Sequence, residues 1–414
     1  MIPFSTSHHV IIAGGGIGGL TLALFLKKAG ISCDIFEAYT YKASAGGGFN
    51  IAPNGMNVLD SLGLAQQVIA AGAVASEFHM RNGQGKMIAR MANGAVKKYG
   101  QPAVSLSRAA LYDILLQELD EQGLTVQYGR RLTNIRQDPW GVTAVFADGT
   151  EAFGDILIGA DGVHSVTRRI LFPDGPVPAF TGSKNYGGFV PLAAVPEMTS
   201  DEINSLTFTF GNNGFFGYCA AGDGKAMWWS NLPSDTPFTK EELEDTTLEG
   251  VKAEMLARYQ DYHTPIGSLI ANTEKVLKVN VSDIASLPAW FKGRVLLIGD
   301  AAHAVSPNAG QGASMALEDA MYLAMLLRDA GVGAYTGVFR KFEAERKPRV
   351  EKIVAEGRRR GKSKAILSPW QAKIREWMMA IFIPLFAQRS FDWLYRYRLN
   401  WREKAWKVLK PELI

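Results

Sequence analysis

The first forty residues fall into three patterns. Val10 to Ala13 form a continuous apolar run, a glycine-rich turn follows, and Leu20 to Leu26 are apolar except for Thr21. The stretch Cys33-Asp-Ile-Phe-Glu37 closes the unit. This spacing predicts a buried strand, a helix and a second strand ending in a carboxylate. The strand pattern recurs twice. Residues 155–162 read Asp-Ile-Leu-Ile-Gly-Ala-Asp-Gly, and residues 294–302 read Arg-Val-Leu-Leu-Ile-Gly-Asp-Ala-Ala. Near-continuous apolar runs suit parallel strands covered on both faces, and ligands of such sheets bind beyond the carboxyl ends. Asp161 and Asp300 are therefore expected on one rim, with capping of the next element as the alternative role.

Other periods mark the remaining elements. Residues 106–119 predict an amphipathic helix with Ser107 as N-cap. Residues 124–128 and 142–147 predict strands, with a turn at Asp148-Gly149. A helix is expected from Gly312, with Ala316, Ala320, Leu323 and Leu327 on its apolar face. Segments 185–194, 206–210, 214–220 and 225–231 predict an antiparallel sheet rich in aromatics. From Lys364 onward the tail holds Trp370, Trp377, Trp393, Trp401 and Trp406, and an apolar run over 377–387 broken by Pro384. The tail is read as helices packed on the catalytic part. A homodimer face and an interfacial membrane helix are the alternatives.

The turn after the first strand carries the first chemistry. Gly14 allows the tight bend, Gly16 leaves room for a pyrophosphate, and Gly19 lets the helix lie close to the strand. The helix N-terminus faces that anion. Glu37 is placed to accept hydrogen bonds from ribose hydroxyls. Arg108 opens a helix whose dipole favours acids there, so a cation at that position suggests phosphate contact. Pro307, Gly310 and Gly312 form a loop whose backbone can approach a flat ring. The N–H groups of the helix that follows would stabilise an anion, such as the pyrimidine edge of a reduced isoalloxazine. NAD offers no such anion, so the segment favours FAD.

Composition adds bounds. The chain has 414 residues, 47% hydrophobic and 20% charged, which fits a globular protein of two or three units. A net charge of +4 is too small to argue for nucleic acid. Cys33 and Cys219 have neither disulfide nor metal spacing, so a reducing, cytoplasmic setting and no metal are expected. The nine residues before the first strand are too short for a signal peptide.

Gly14-x-Gly16-x-x-Gly19, Asp161-Gly162, and Gly299-Asp300 followed by Pro307 to Ala313 together resemble the group A flavoprotein monooxygenases. The phrase Gly48-Phe-Asn-Ile-Ala-Pro-Asn-Gly-Met-Asn-Val-Leu is similar to their urate hydroxylase, salicylate hydroxylase and zeaxanthin epoxidase branch. The resemblance implies an α/β fold. A Rossmann-like FAD-binding domain would comprise 1–175 and 286–360, an inserted antiparallel-sheet substrate domain 176–285, and a C-terminal helical tail 361–414. It implies cofactor contacts from Gly14, Gly16, Ile17, Gly18, Gly19, Glu37, Ala38, Gly48, Asn50, Arg108 and Val126. Asp161, Asp300, Pro307, Gly310, Gln311, Gly312, Ala313 and Ser314 complete that set. Ser314 stands where many relatives have asparagine.

The implied activity is NAD(P)H- and O2-consuming hydroxylation of an aromatic, heteroaromatic or polyketide-like small molecule through a flavin hydroperoxide. The nicotinamide would dock transiently, since a second glycine fingerprint is missing. Isoprenoid epoxidation and tetracycline-type inactivation are alternatives. A binding protein of the GDP-dissociation-inhibitor type is the non-enzymatic one. No Trp-x-Trp-x-Ile-Pro segment supports a halogenase. No side chain is assigned as catalytic, because the flavin carries the chemistry. Phe189, Phe210, Phe216, Tyr218, Trp228 and Pro307 are the expected substrate pocket, with ordinary sheet core as the alternative for each aromatic.

Overall fold

Four sheets organise the chain. The computed structural model describes residues 9–40, 47–330, 333–362, 368–383 and 388–405; Trp406 and the Pro384 break lie outside them. The first sheet runs Phe291–Lys292, Val295–Leu297, Ile156–Gly159, His9–Ala13, Ser32–Glu37, Val126–Tyr128. Its last five strands are mutually parallel. Val10, Ile11, Ile12, Leu157, Ile158 and Val295 to Leu297 are fully buried, as strands covered on both faces must be. Ala13 pairs with Gly159, and Gly159 with Leu297. The register therefore brings Gly14, Asp161 and Asp300 to one rim, as the repeated strand pattern predicts.

Helix α1 (Ile17–Lys28) covers this sheet and packs against α2 (Gly312–Ala330), whose Met315 to Leu326 face is buried except at Ala316. The predicted helix appears as Arg108–Glu121, with the Ser107 hydroxyl accepting from Ala110 N at 3.1 Å. A small sheet of Gly48–Ile51, Val104–Ser107 and Ala73–Val74 packs on the strand Gly214–Gly222 of the largest sheet.

The large sheet runs Lys275–Asp283, Ala179–Pro191, Lys225–Pro233, Gly214–Gly222, Ser205–Gly211, Glu77–Asn82, Met87–Ala92. All four predicted strands are there. Two further strands come from residues 77–92, inside the stretch that the resemblance gave to the nucleotide unit, and Glu77–Asn82 pairs parallel with Ser205–Gly211.

Three helices follow α2: α3 (Tyr335–Lys362), α4 (Pro369–Phe382) and α5 (Gln388–Tyr395). The segment from α5 to residue 405 packs on the core. Leu394, Tyr395, Leu399 and Ala405 are buried there, and the Phe25 and Trp401 rings lie 5.1 Å apart. None of the described helices is long and apolar enough to cross a membrane.

Candidate functional site

The rim of the parallel sheet is shaped by its glycine turn. Gly14 has φ +117°, and a Cβ there would overlap the Ala160 carbonyl. A Cβ at Gly19 would overlap the Gly14 carbonyl, so α1 sits as close as backbone permits. At Gly16 nothing lies within 4 Å of the same position, which leaves open space at the N-terminus of α1. The first turn of α1 carries no acid and its last turn carries Lys27 and Lys28, so its positive end is uncompensated by side chains. Ile17 is buried beneath the turn, Gly18 faces Ala316 of α2, and Val126 flanks Gly15.

The sequence-predicted acids divide by role. Glu37 accepts from Gly15 N at 2.8 Å and from Tyr39 N at 2.9 Å, fixing the turn and Ala38 beside it. Asp161 accepts from Ser165 Oγ at 2.5 Å and from Thr167 N and Oγ1 at 2.9 Å each. Its carboxylate thus shapes the turn into the helix Val166–Leu171, the capping alternative for this residue. Asp300 is exposed on the rim and meets no hydrogen-bond or ionic partner among the described residues. Arg108 is also exposed and unpartnered there, with its N–H donating to Gly47 O at 2.9 Å. A carboxylate and a guanidinium without partners among the described residues have the chemistry to hold a polyol and a diphosphate.

The loop expected to meet a flat ring is held from behind. Pro307–Ala309 forms a short turn closed by Gly310 at φ +61°, and α2 starts at Gly312 beside Ala313. Gln311 is buried and accepts from Asn54 Nδ2 at 2.9 Å. The Ser314 hydroxyl is buried without a hydrogen-bond partner among the described residues. Asn50 donates to Ser105 Oγ at 3.1 Å on the neighbouring strand.

Beneath the loop lies a charge cluster that sequence reasoning missed. Asn54 Nδ2 also donates to Glu318 at 2.6 Å. Arg346 bridges Glu318 and Asp319 at 2.7 Å each, and Arg349 holds Glu318 at 2.8 Å. Asp319 accepts from Gly299 N at 2.9 Å and from His303 Nε2 at 2.5 Å. Burial pushes the Asp319 carboxyl up, but the His303 and Arg346 charges outweigh it and hold it at about 2. Burial likewise opposes ionisation of Glu318, and Arg349 and Arg346 reverse that to a net lowering. The available signal was an acidic pair inside the otherwise apolar run of α2.

In the large sheet, two-residue alternation separates the expected aromatics. Phe216, Tyr218 and Trp228 point away from the loop. They pack with Tyr186 and Tyr259 under the helices Leu248–Tyr259 and Ile266–Ala271. Phe189 and Phe210 lie on the opposite face, with Phe208, Phe215, Met227 and Trp229. This face meets the cradle: a Cβ at Gly48 would overlap Met227 Sδ and lie 3.3 Å from Phe189 Cζ. Asn231 Nδ2 donates to Asn185 Oδ1 at 2.5 Å on the same face. Of the expected pocket residues, Phe189 and Phe210 thus share the face that meets the strand Gly48–Ile51, and Phe216, Tyr218 and Trp228 lie on the other face. Pro307 stays on the loop side, exposed.

An open glycine turn, a free Asp300 and Arg108, and a buried unpartnered Ser314 hydroxyl fit a flavin dinucleotide lying along the rim. The chain matches the FAD-binding domain family over residues 7–357. It is 32% identical over 391 residues to aurachin C monooxygenase/isomerase of Stigmatella aurantiaca, covering 94% of this chain and 96% of that one. It is also 32% identical over 392 residues to the 3-amino-4-hydroxybenzoate 2-monooxygenase PtmB3 of Streptomyces platensis, covering 94% and 95%. In fold it matches Klebsiella pneumoniae HpxO, crystallised with FAD and uric acid, at a TM-score of 0.81 and 24% identity, covering 95% and 98%. This chain belongs to the FAD-binding family of group A flavoprotein monooxygenases.

Proposed function

We propose that this FAD-dependent monooxygenase hydroxylates an aromatic or heteroaromatic small molecule held between the ring loop and the Phe189, Phe208, Met227 and Trp229 face. The observation that carries the reading is the contact of that face with the strand Gly48–Ile51, which sets an apolar wall opposite the loop. Relatives named for aminohydroxybenzoate and 6-hydroxynicotinate support a flat, polar-edged substrate. Asn185 and Asn231 supply amide groups for such edges. We assign substrate binding to the whole seven-stranded sheet, residues 77–92 included.

Bound FAD supplies two-electron redox chemistry with NAD(P)H and activation of O2. The chain's part is binding, orientation and exclusion of water. Asp300 would accept from ribityl hydroxyls, and Glu37, already fixed on the glycine turn, would face the adenosine ribose. Arg108 and the N-terminus of α1 would hold the diphosphate. The N–H groups opening α2 would stabilise negative charge on the ring edge. His303 is buried and bonded to Asp319, so it positions the loop without meeting substrate. The cytoplasm is the proposed compartment, because Cys219 is buried and burial pushes both thiols to about 12, which fits unpaired, unreactive cysteines.

The test is a panel of hydroxylated benzoates, pyridines, quinolines and purines with the flavin-loaded enzyme. A true substrate speeds NAD(P)H oxidation and gains one 18O atom from labelled O2 with little peroxide. Peroxide alone across the panel, with no oxygenated product, sinks this substrate class.

A further inference from the structure

Helix α4 is turned inside out. Ala372, Arg375, Glu376 and Met379 face the protein, and two of those four are charged. Arg375 lies over the Phe210 ring at 5.5 Å, and Glu376 accepts from Asn82 Nδ2 at 3.4 Å. The outer face carries Trp370, Ile374, Trp377, Met378, Ile381 and Phe382, spaced as one helical stripe. Trp370 and Trp377 are 64% and 65% exposed. Among the described residues, six of the fourteen exposed large apolar side chains lie on this one helix. A stripe of that kind marks a surface that something else covers.

Charge identifies the occupant. Residues 358–414 contain 14 of the 44 lysines and arginines but 4 of the 40 acids, a net of +10 in a chain of net +4. Lys373 projects from α4 beside the stripe and is exposed. A second copy of the chain carries the same excess of positive charge in this part of its sequence, which opposes self-pairing. An anionic lipid surface offers both an apolar layer and the opposite charge. Tryptophans favour the depth where acyl chains meet headgroups. The 14-residue helix is about 21 Å long, short of the roughly 30 Å hydrocarbon layer, so it would lie along the surface. We propose that α4 is an interfacial anchor that seats this enzyme on an anionic membrane surface. The seat would place the aromatic wall, which α4 touches through Phe210, next to the lipid phase.

Flotation of the flavin-loaded enzyme tests this independently of turnover. The vesicles are phosphatidylcholine alone, or phosphatidylcholine and phosphatidylglycerol in equal parts. The enzyme floats with the mixed vesicles and not with the neutral ones, and its tryptophan emission shifts to the blue. The double variant Trp370→Gln/Trp377→Gln, judged folded by its bound flavin, partitions at least about tenfold less. No flotation with the mixed vesicles, or flotation that the double variant leaves undiminished, overturns the anchor. So does a concentration-dependent dimer that the same variant abolishes, which would make the stripe a protein interface.

Discussion

Asp300 and Glu37 are both carboxylates on one rim, yet their situations differ. Glu37 is already committed to Gly15 and Tyr39, whereas Asp300 meets no partner among the described residues. Asp300→Ala should therefore weaken FAD binding without harming the fold. Loss of a charged hydrogen-bond acceptor is worth about 1.5–3 kcal/mol, or roughly 10- to 100-fold in affinity. Flavin fluorescence titration of the apoprotein measures it, and unchanged affinity would remove Asp300 from the site. The motif residues were legible because their chemistry is local: a glycine that must bend, a carboxylate at a strand end. The role of Asp161 was less so, since both readings put it on the same turn and only the Ser165 and Thr167 geometry separates them.

At the scale of elements, the continuous apolar runs located the parallel strands because burial on both faces leaves little room for polar residues. The strands Glu77–Asn82 and Met87–Ala92 escaped notice. They are short, carry His79, Arg81 and Arg90, and join a sheet whose other strands begin about a hundred residues later. Alternation found four of the other five strands of that sheet and missed the edge strand Lys275–Asp283, and periodicity alone cannot say which face meets the loop. That difference separates two variants. Phe216→Ala opens a cavity under the helices and should cost about 3–5 kcal/mol of stability with little change in substrate selectivity. Trp229→Ala, on the half-exposed opposite face, should leave the denaturation midpoint close to normal, raise KM and divert reducing power to peroxide. Denaturant unfolding together with coupling assays reads both, and the reverse pattern would exchange the two faces.

Helices α2 and α3 meet through buried charge, and this sets an acid response. The Asp319 carboxyl is depressed in the folded protein, so it binds fewer protons there than in the unfolded chain. Its stabilising contribution is complete above the usual aspartate value of about 3.9 and is lost as pH falls toward about 2. Arg346→Met leaves two acids without their shared cation and should cost about 3–5 kcal/mol at neutral pH. The variant should also show a shallower loss of stability on acidification, since its Asp319 has less depression to lose. Thermal unfolding of both proteins between pH 7 and pH 2 checks the difference in slope.

For the whole molecule, residues 388–405 act as a strap over the core. Lys98 pairs with Asp392 at 2.6 Å, Tyr395 donates to Asn93 at 3.1 Å, and Arg328 donates to Glu403 O at 2.7 Å. Removal of residues 388–414 should lower the melting temperature by several degrees and speed flavin loss, both followed by flavin fluorescence on heating. A tail that could be deleted without either effect would be an appendage. Its many aromatics were visible in the sequence, and a packed role was expected from them. What could not be read was that one stretch turns inward and another outward, because the same residues serve either purpose.

Glu318 joins matters that lie far apart. On one side it grips Asn54, whose amide steadies Gln311 in the ring loop; on the other it grips Arg349, which donates to the Leu394 carbonyl at 3.1 Å. A single carboxylate thus stands between the strap and the berth of the yellow ring. Any strain on the closing residues of the chain has a short route to the enzyme's colour, and the visible spectrum becomes a gauge of how that end is held.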